Sequence, residues 1–240
     1  MLHKTQGIVL KTTNYAETSV IAKIYTLDFG LQTYLINSVR TTRPKYSYAI
    51  LQPLTLLDMV VYYKENKPAA LQRVAQLQAK PVLHSLQTLP QSVLVAMFVA
   101  EVLVKCVHDA EPEPALYDFV HEQVLFLDEN KPDADFIIKF LLELSGFLGF
   151  LPMANYHATD APFFNLENAI FEPYEGSTQP HANKGSSRLI GLLLQNAQYQ
   201  AHLVPNVIRQ EALLDVLKFY QIHIVDFGKL NSLAILQDIW

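Results

Sequence analysis

Over its first 80 residues the chain sets apolar and polar positions in short alternating runs. GIVLKTTNY (7–15), SVIAKIYTL (19–27), LQTYLINSV (31–39), LTLLDMVVYY (54–63) and LQRVAQLQA (71–79) are rich in Val, Ile, Leu, Thr and Tyr, the residues that suit a pleated, half-buried surface. Between them stand AET, DFG, an arginine-bearing stretch and KENKP, all turn material. Five strands with a longer connection after the third predict a five-stranded OB barrel, which removes open edges by wrapping the sheet on itself. An SH3-like barrel or an open sandwich would use similar strands.

After Pro81 the apolar spacing changes period. QSVLVAMFVAEVLVKCVHD (91–109) is too long and too continuously apolar for a surface strand and predicts a buried helix. The next helix opens at EPEPALYDFV, where prolines cost nothing in a first turn whose amides lack helical partners. Leu116, Phe119, Val120, Val124 and Leu127 then make an apolar stripe at helical spacing. A third helix starts near Asp133, a residue suited to an N-cap, and runs through FIIKFLLELSGFLGF until Gly149 and Pro152 end it. Two more are expected over 187–196 and 207–220, and a short one over 232–238. Turn formers and aromatics at about 154–185 read as an ordered insert with a strand or two. The pattern therefore predicts an α+β chain, with an OB-fold domain over 1–80 and a mainly helical domain over 81–240 that carries the insert.

Charge changes this picture once the chain is divided. The formal net charge is −5, yet residues 1–80 hold ten Lys and Arg against four acids, a net of +6, and the remainder holds eight against nineteen, a net of −11. A polyanion feels the field within a Debye length of about 8–10 Å more than the distant total, so the basic block reads as an anion-binding module. The plainer reading is solvated surface. NSVRTTRPKY (37–46) sets Arg40, Arg43 and Lys45 close together with no acid among them. Single-stranded nucleic acid is met in OB barrels by strands two and three and by the loops joining strands one to two and four to five. Alternation sets Ile21, Lys23 and Tyr25 on one face of strand two and Gln32, Tyr34 and Ile36 on one face of strand three, and the last barrel loop carries Lys64 and Lys67. These are cations for phosphates and flat rings for bases, unless the two tyrosines fill the barrel and the lysines only keep it soluble.

Other chemistry is excluded more readily. A single cysteine, Cys106, forbids an internal disulfide or a multi-cysteine zinc cage, and the eight histidines lack a paired spacing such as HxxxH. No glycine-rich phosphate loop, GxSxG or HExxH is present, and DFG at 28–30 and 226–228 lacks the rest of a kinase signature. Asp128/Glu129 and Asp133/Asp135 sit at turns and helix starts, where acids complement the helix dipole. His108, His121, His157, His181, His202 and His223 have no triad partners in sequence, and Cys106 lies in an apolar helix. The expectation is a protein that is not an enzyme and uses no cofactor or metal; the rival is an enzyme built around His157, Asp160 and His181 of the insert. A second rival is a module that binds only protein, using its basic face for an acidic partner. No apolar run approaches the roughly 18–20 residues of a membrane span, and MLHKTQGIVL lacks the features of a secretory signal, which predicts a cytoplasmic location.

NYAETSVIAKIYTLDFGLQTYLINSVRTTRPKY followed by LQPLTLLDMVVYY closely resembles the N-terminal OB domain of the bacterial DNA repair and recombination mediator RecO. Weaker matches follow in ALYDFVHEQVLFLD, FLLELSGFLGFLP and LLDVLKFYQIHIVDFGKLNSLAIL, so the resemblance runs nearly end to end and rests on order and spacing. It implies a non-enzymatic protein that binds single- and double-stranded DNA, anneals complementary strands, and with RecR helps RecA displace single-stranded-DNA-binding protein. Arg40, Arg43 and Lys45 carry over as phosphate contacts. The family's helical domain takes the acidic, apolar C-terminal tail of single-stranded-DNA-binding protein into a pocket, a region matched here by Lys139 and Phe140. Two departures stand against full correspondence. The four-cysteine zinc site of some members cannot form, and the net −11 beyond residue 80 opposes an acidic peptide unless Lys105, Lys139 or Lys218 concentrates positive charge locally.

Overall fold

The computed structural model describes residues 1–63, 71–107, 111–133, 135–160, 162–173, 178–196 and 203–237. Five strands come first: β1 (Leu2–Tyr15), β2 (Ser19–Thr26), β3 (Gly30–Ile36), β4 (Leu56–Tyr62) and β5 (Gln72–Ala79). They close into a barrel in the order β1-β2-β3-β5-β4, the expected five-stranded OB arrangement. β1 is longer than its apolar run because it serves two partners. Its first half pairs with β4 from Leu2↔Tyr62 to Ile8↔Leu56, and its second half with β2 from Gly7↔Thr26 to Tyr15↔Ser19. Gly7 belongs to both ladders, and a Cβ there would stand 2.6 Å from Ile24 Cγ2 and 2.7 Å from Met59 Sδ. Only glycine lets the strand bend across the core so closely. The interior is filled by Val9, Val20, Ala22, Ile24, Tyr34 and Ile36 with Leu57, Met59, Val61 and Leu77.

β3 ends at Ile36 rather than Val39, because Ser38 takes a φ of +57° and turns the chain out of the sheet. The long connection that follows contains a 3-10 turn at Tyr48–Leu51, which inserts Leu51 into the core. DFG at 28–30 is the β2–β3 turn, with Gly30 at φ +60° and its carbonyl accepting from the Thr26 hydroxyl at 2.8 Å.

Seven helices are described: α1 (Ser85–Thr88), α2 (Pro90–Cys106), α3 (Pro114–Glu129), α4 (Phe136–Phe147), α5 (Lys184–Leu194), α6 (Asn206–His223) and α7 (Ser232–Gln237). Pro90 and Pro114 occupy the first positions of α2 and α3, where no amide is missed. Asp133 is not the N-cap of α4. It stands a few residues earlier, its carboxylate accepting from the Asp135 amide at 3.0 Å, and the helix begins at Phe136. The 154–185 insert contains a two-stranded ladder, β6 (Phe163–Asn165) with β7 (Ile170–Glu172).

The chain forms two compact units, Met1–Lys131 with Leu230–Leu236, and Pro132–Lys229 with Gln237–Trp240. In the first, α2 packs on β1 and α1 on α2 and α3. Glu101 of α2 fastens the returning segment: its carboxylate accepts from the amide and side chain of Asn231 at 2.9 and 3.0 Å and from the amide and hydroxyl of Ser232 at 2.8 and 2.6 Å. In the second unit α4, α5 and α6 share a core, and the Tyr220 hydroxyl donates to the Leu141 carbonyl at 2.5 Å. A buried ion pair joins Arg209 Nε to Asp135 Oδ1 at 2.8 Å. No helix of the described residues is long and apolar enough to cross a membrane.

Candidate nucleic-acid interface

The register of the barrel decides which side chains share its outer surface. One row of directly opposed residues runs Thr13, Ile21, Leu35, Arg73, Tyr62 and Leu2 across β1, β2, β3, β5, β4 and back to β1. The neighbouring row is Lys11, Lys23 and Thr33. Lys11 is exposed and Lys23 half-exposed, directly opposite each other on adjacent strands, an arrangement that like charges disfavour unless something negative lies between them. Arg73 is exposed in the adjacent row.

The 37–46 loop is tied down at both ends. At one, the Val39 and Arg40 amides both donate to the Thr18 carbonyl at 3.0 Å, and Arg40 Nη1 donates to the Ala16 carbonyl at 3.3 Å. At the other, Lys45 Nζ and the Tyr46 hydroxyl both donate to the Ala75 carbonyl, at 3.1 and 3.0 Å. That carbonyl is available because β5 bulges there: Val60 pairs with Gln76 and Val61 with Val74, leaving Ala75 outside the ladder. The Lys45 ammonium also lies 5.0 Å from the centre of the Tyr46 ring. Arg40, Arg43 and Lys45 are all exposed. Among the described residues none of Lys11, Lys23, Arg40, Arg43, Lys45 or Arg73 forms an ion pair; Lys80 does, with Asp58 at 3.2 Å.

The two tyrosines expected to stack on bases are covered. Tyr34 is fully buried and, with Gln32 and Ile36, points into the barrel; the outward residues of β3 are Leu31, Thr33 and Leu35. Burial holds its phenol above the ordinary tyrosine range. Tyr25 does point outward with Ile21 and Lys23, but α3 covers it: it is 1% exposed, its hydroxyl donates to the Glu113 carbonyl at 3.2 Å, and its ring centre lies 6.0 Å from that of Tyr117. Burial, and then the nearby Glu113, hold its phenol above the ordinary range as well. The β2 set Ile21, Lys23 and Tyr25 shares the outer face that its alternation gives, whereas the two sets of β3 are about equally apolar and Gln32, Tyr34 and Ile36 are the inward one. Among the described residues of the barrel the open tyrosine rings are Tyr15 at the end of β1, Tyr48 in the 3-10 turn and Tyr62 at the end of β4, 48%, 46% and 47% exposed. Sequence reasoning passed over Tyr62, Lys11 and Arg73; their signal was the strand alternation itself, which needs the register to be read. Lys64 and Lys67 lie outside the described residues.

The other candidates separate. Phe140 is 1% exposed within the core of α4, and Lys139 bonds to Asp133 at 3.1 Å, so the structure presents no open ring at that position. His181 is held by Glu172 Oε1 and the Gln179 carbonyl, both at 2.9 Å, and Asn165 donates to Glu172 at 2.6 Å and to Gln179 at 2.7 Å. This network fastens the β6–β7 ladder and leaves the imidazole nitrogens engaged. His157 and Asp160 are exposed and share one turn, joined by an Asp160 amide to His157 carbonyl bond of 3.1 Å. Burial pushes the Cys106 thiol up to about 12, so it is a poor nucleophile. His108 and His202 lie outside the described residues. Among the described residues no group of three or more His, Cys, Asp or Glu side chains could hold a metal ion.

Comparison with known proteins gives two family matches that together span most of the chain: Recombination protein O N terminal over residues 1–80, and Recombination protein O C terminal over residues 90–234. The chain is 28% identical over 240 residues to the DNA repair protein RecO of Flavobacterium psychrophilum, covering 99% of this chain and 98% of that one. It is 29% identical to the DNA repair protein RecO of Christiangramia forsetii over 242 residues and to that of Bacteroides fragilis over 250, with full coverage of both partners in each case.

Proposed function

The chain belongs to the recombination protein O family, a family of DNA repair and recombination, and on that premise we propose that it is a mediator that binds single- and double-stranded DNA and anneals complementary strands. It then helps load recombinase onto DNA covered by single-stranded-DNA-binding protein. The observation that carries this reading is that Lys11, Lys23, Arg40, Arg43 and Arg73, on the outer rows of the barrel and its loop, have no carboxylate partner among the described residues. Lys45 adds a sixth cation, with two ammonium protons left beyond its bond to Ala75. Phosphates supply the negative charge that the opposed Lys11 and Lys23 lack. Two complementary strands repel each other through their phosphates; a strand whose charge is partly neutralised on this surface admits its complement more readily. No bond is made or broken in that sequence, so the reading is of a protein that is not an enzyme and works without a cofactor, in the cytoplasm where the chromosome is.

RecR and the acidic tail of single-stranded-DNA-binding protein enter as partners through family membership. At Lys139 such a tail would have to displace the Asp133 carboxylate, and Phe140 would have to leave the core, so this contact requires rearrangement of α4 and DNA binding does not. The test is titration of the purified chain with a labelled single-stranded oligonucleotide at several salt concentrations. Affinity should fall with salt, by a log–log slope of roughly 0.7 per phosphate neutralised, and Lys23, Arg40 and Arg43 changed together to Ala should flatten it by about 2. A parent chain that binds an acidic protein but ignores oligonucleotides at low ionic strength would instead support the protein-only module. Annealing of complementary oligonucleotides, with and without single-stranded-DNA-binding protein, then tests the mediator step.

A further inference from the structure

Resting on that reading, we propose that Tyr62 is a base-stacking platform paired with Arg73, and that this couple makes the barrel prefer single strands with unpaired bases over duplex. Tyr62 is the last residue of β4, nearly half exposed, and directly opposite Arg73 on β5, which puts the ring and the guanidinium side by side on one outer face. Arg73 is in turn opposite Leu35 on β3, so the couple continues the row that leads to Ile21, beside Lys23. Among the described residues neither side chain makes a hydrogen bond, ion pair or ring contact. Tyr62 differs in this from its neighbour Tyr63, whose ring stacks on Phe29 at 4.1 Å between centres. It differs also from Tyr25 and Tyr34, which are buried.

An open phenol ring beside an unpaired cation matches one repeating unit of a single strand, a base face and a phosphate. Stacking is indifferent to sequence because every base has a flat face. In a duplex those faces are already stacked inside the helix, so only the phosphate half of the couple finds a partner. Tyr62 should thus act on single strands alone, and Arg73 on both forms.

The experiment measures binding of the full chain to labelled oligo(dT) and to a duplex of equal length. Tyr62→Ala should lower oligo(dT) affinity about five- to 150-fold, the range for loss of one stacked base, and leave duplex affinity within about twofold. Tyr62→Phe should keep the parent's affinity for both, and Tyr62→Leu, which retains apolar bulk against the opposed Leu2 but no flat face, should behave as Ala. Arg73→Ala should weaken both and reduce the salt slope by roughly 0.7 on the single strand. A parent that binds neither probe overturns the DNA reading and this inference with it. A parent that binds both, with Tyr62→Ala lowering the two affinities equally or neither, overturns this inference alone.

Discussion

Lys23→Met should make the barrel more stable and a worse ligand for DNA. Met keeps the stem of the half-buried side chain and removes only its charge, so packing is nearly unchanged. Lys23 is directly opposite Lys11 on the neighbouring strand, where Cβ atoms stand about 4.5–5.5 Å apart and like charges cost roughly 0.2–1 kcal/mol. Two ammonium groups about 6 Å apart in a water-like dielectric repel by about 0.7 kcal/mol, inside that range. Urea unfolding at low salt should therefore show a gain of roughly 0.2–1 kcal/mol. The gain should vanish near 1 M salt, where the Debye length is about 3 Å. The same variant should lose about 0.7 from the log–log salt slope of single-strand binding, because one phosphate fewer is neutralised. Opposite signs in the two assays are the signature of charge kept for a ligand at the expense of stability. A variant that is less stable at low salt, or whose slope is unchanged, would refute the claim that Lys11 and Lys23 are held in strained apposition for a polyanion.

Two further outcomes test how the units are held. Glu101→Gln should destabilise the first unit by about 1.5–3 kcal/mol, the value of hydrogen bonds to a charged group, because an amide cannot accept all four donors of Asn231 and Ser232. Burial pushes the Glu101 carboxyl up, but those four bonds outweigh it and hold the group below the ordinary 4.5. Its contribution is thus full above 4.5 and lost as pH falls through the lower folded value, and an acid titration of unfolding in the variant should lack that loss. Arg209→Met should cost about 3–5 kcal/mol by taking the guanidinium away from the buried Asp135 carboxylate, whereas Asp135→Leu with Arg209→Met should recover most of the loss; denaturant unfolding of the single and double variants decides.

The strands of the barrel were legible because their apolar residues are bounded by short polar turns, as at DFG 28–30, where Gly30 takes φ +60°. The arginine loop was legible for a similar reason: a run of cations with Pro and Thr cannot enter a core, and Arg40 and Arg43 are indeed exposed. What was not legible is what lies against each outer face. Tyr25 has the same polarity and spacing as Tyr62; one meets α3 and the other solvent, and nothing in either strand records which. Tyr34 fell on the wrong side because β3 alternates the other way from the choice its residues suggest: Gln32, Tyr34 and Ile36 look no more apolar than Leu31, Thr33 and Leu35, yet they fill the barrel. The role of Ala75 was beyond reach for a different reason. A bulge that frees one carbonyl for Lys45 and Tyr46 is a property of the β4–β5 register, and the side chain of alanine says nothing about it.

The covering of Tyr25 also bears on how an acidic chain could offer the proposed surface to a polyanion. α3 lies on one end of the outer β2 face, where Tyr117 packs against Tyr25; burial first, and then Asp118, Asp58 and Asp28 for Tyr117 and Glu113 for Tyr25, hold the two phenols above the ordinary range, Asp58 being paired also with Lys80. Two positions back along β2 from Tyr25, the same face carries Lys23 with Lys11 opposite, and beyond them lie Arg73 and the loop of Arg40 and Arg43. The sheet face is therefore polarised, negative where a helix closes it and positive where it is open. Over a Debye length of about 8 Å the two ends do not cancel, so under the proposed DNA-binding reading the acids would reject a phosphate backbone from the closed end and the cations would draw it to the open one. On that proposed reading a net charge of −5 is compatible with DNA binding, because its negative part would help to set where on the barrel a strand lies.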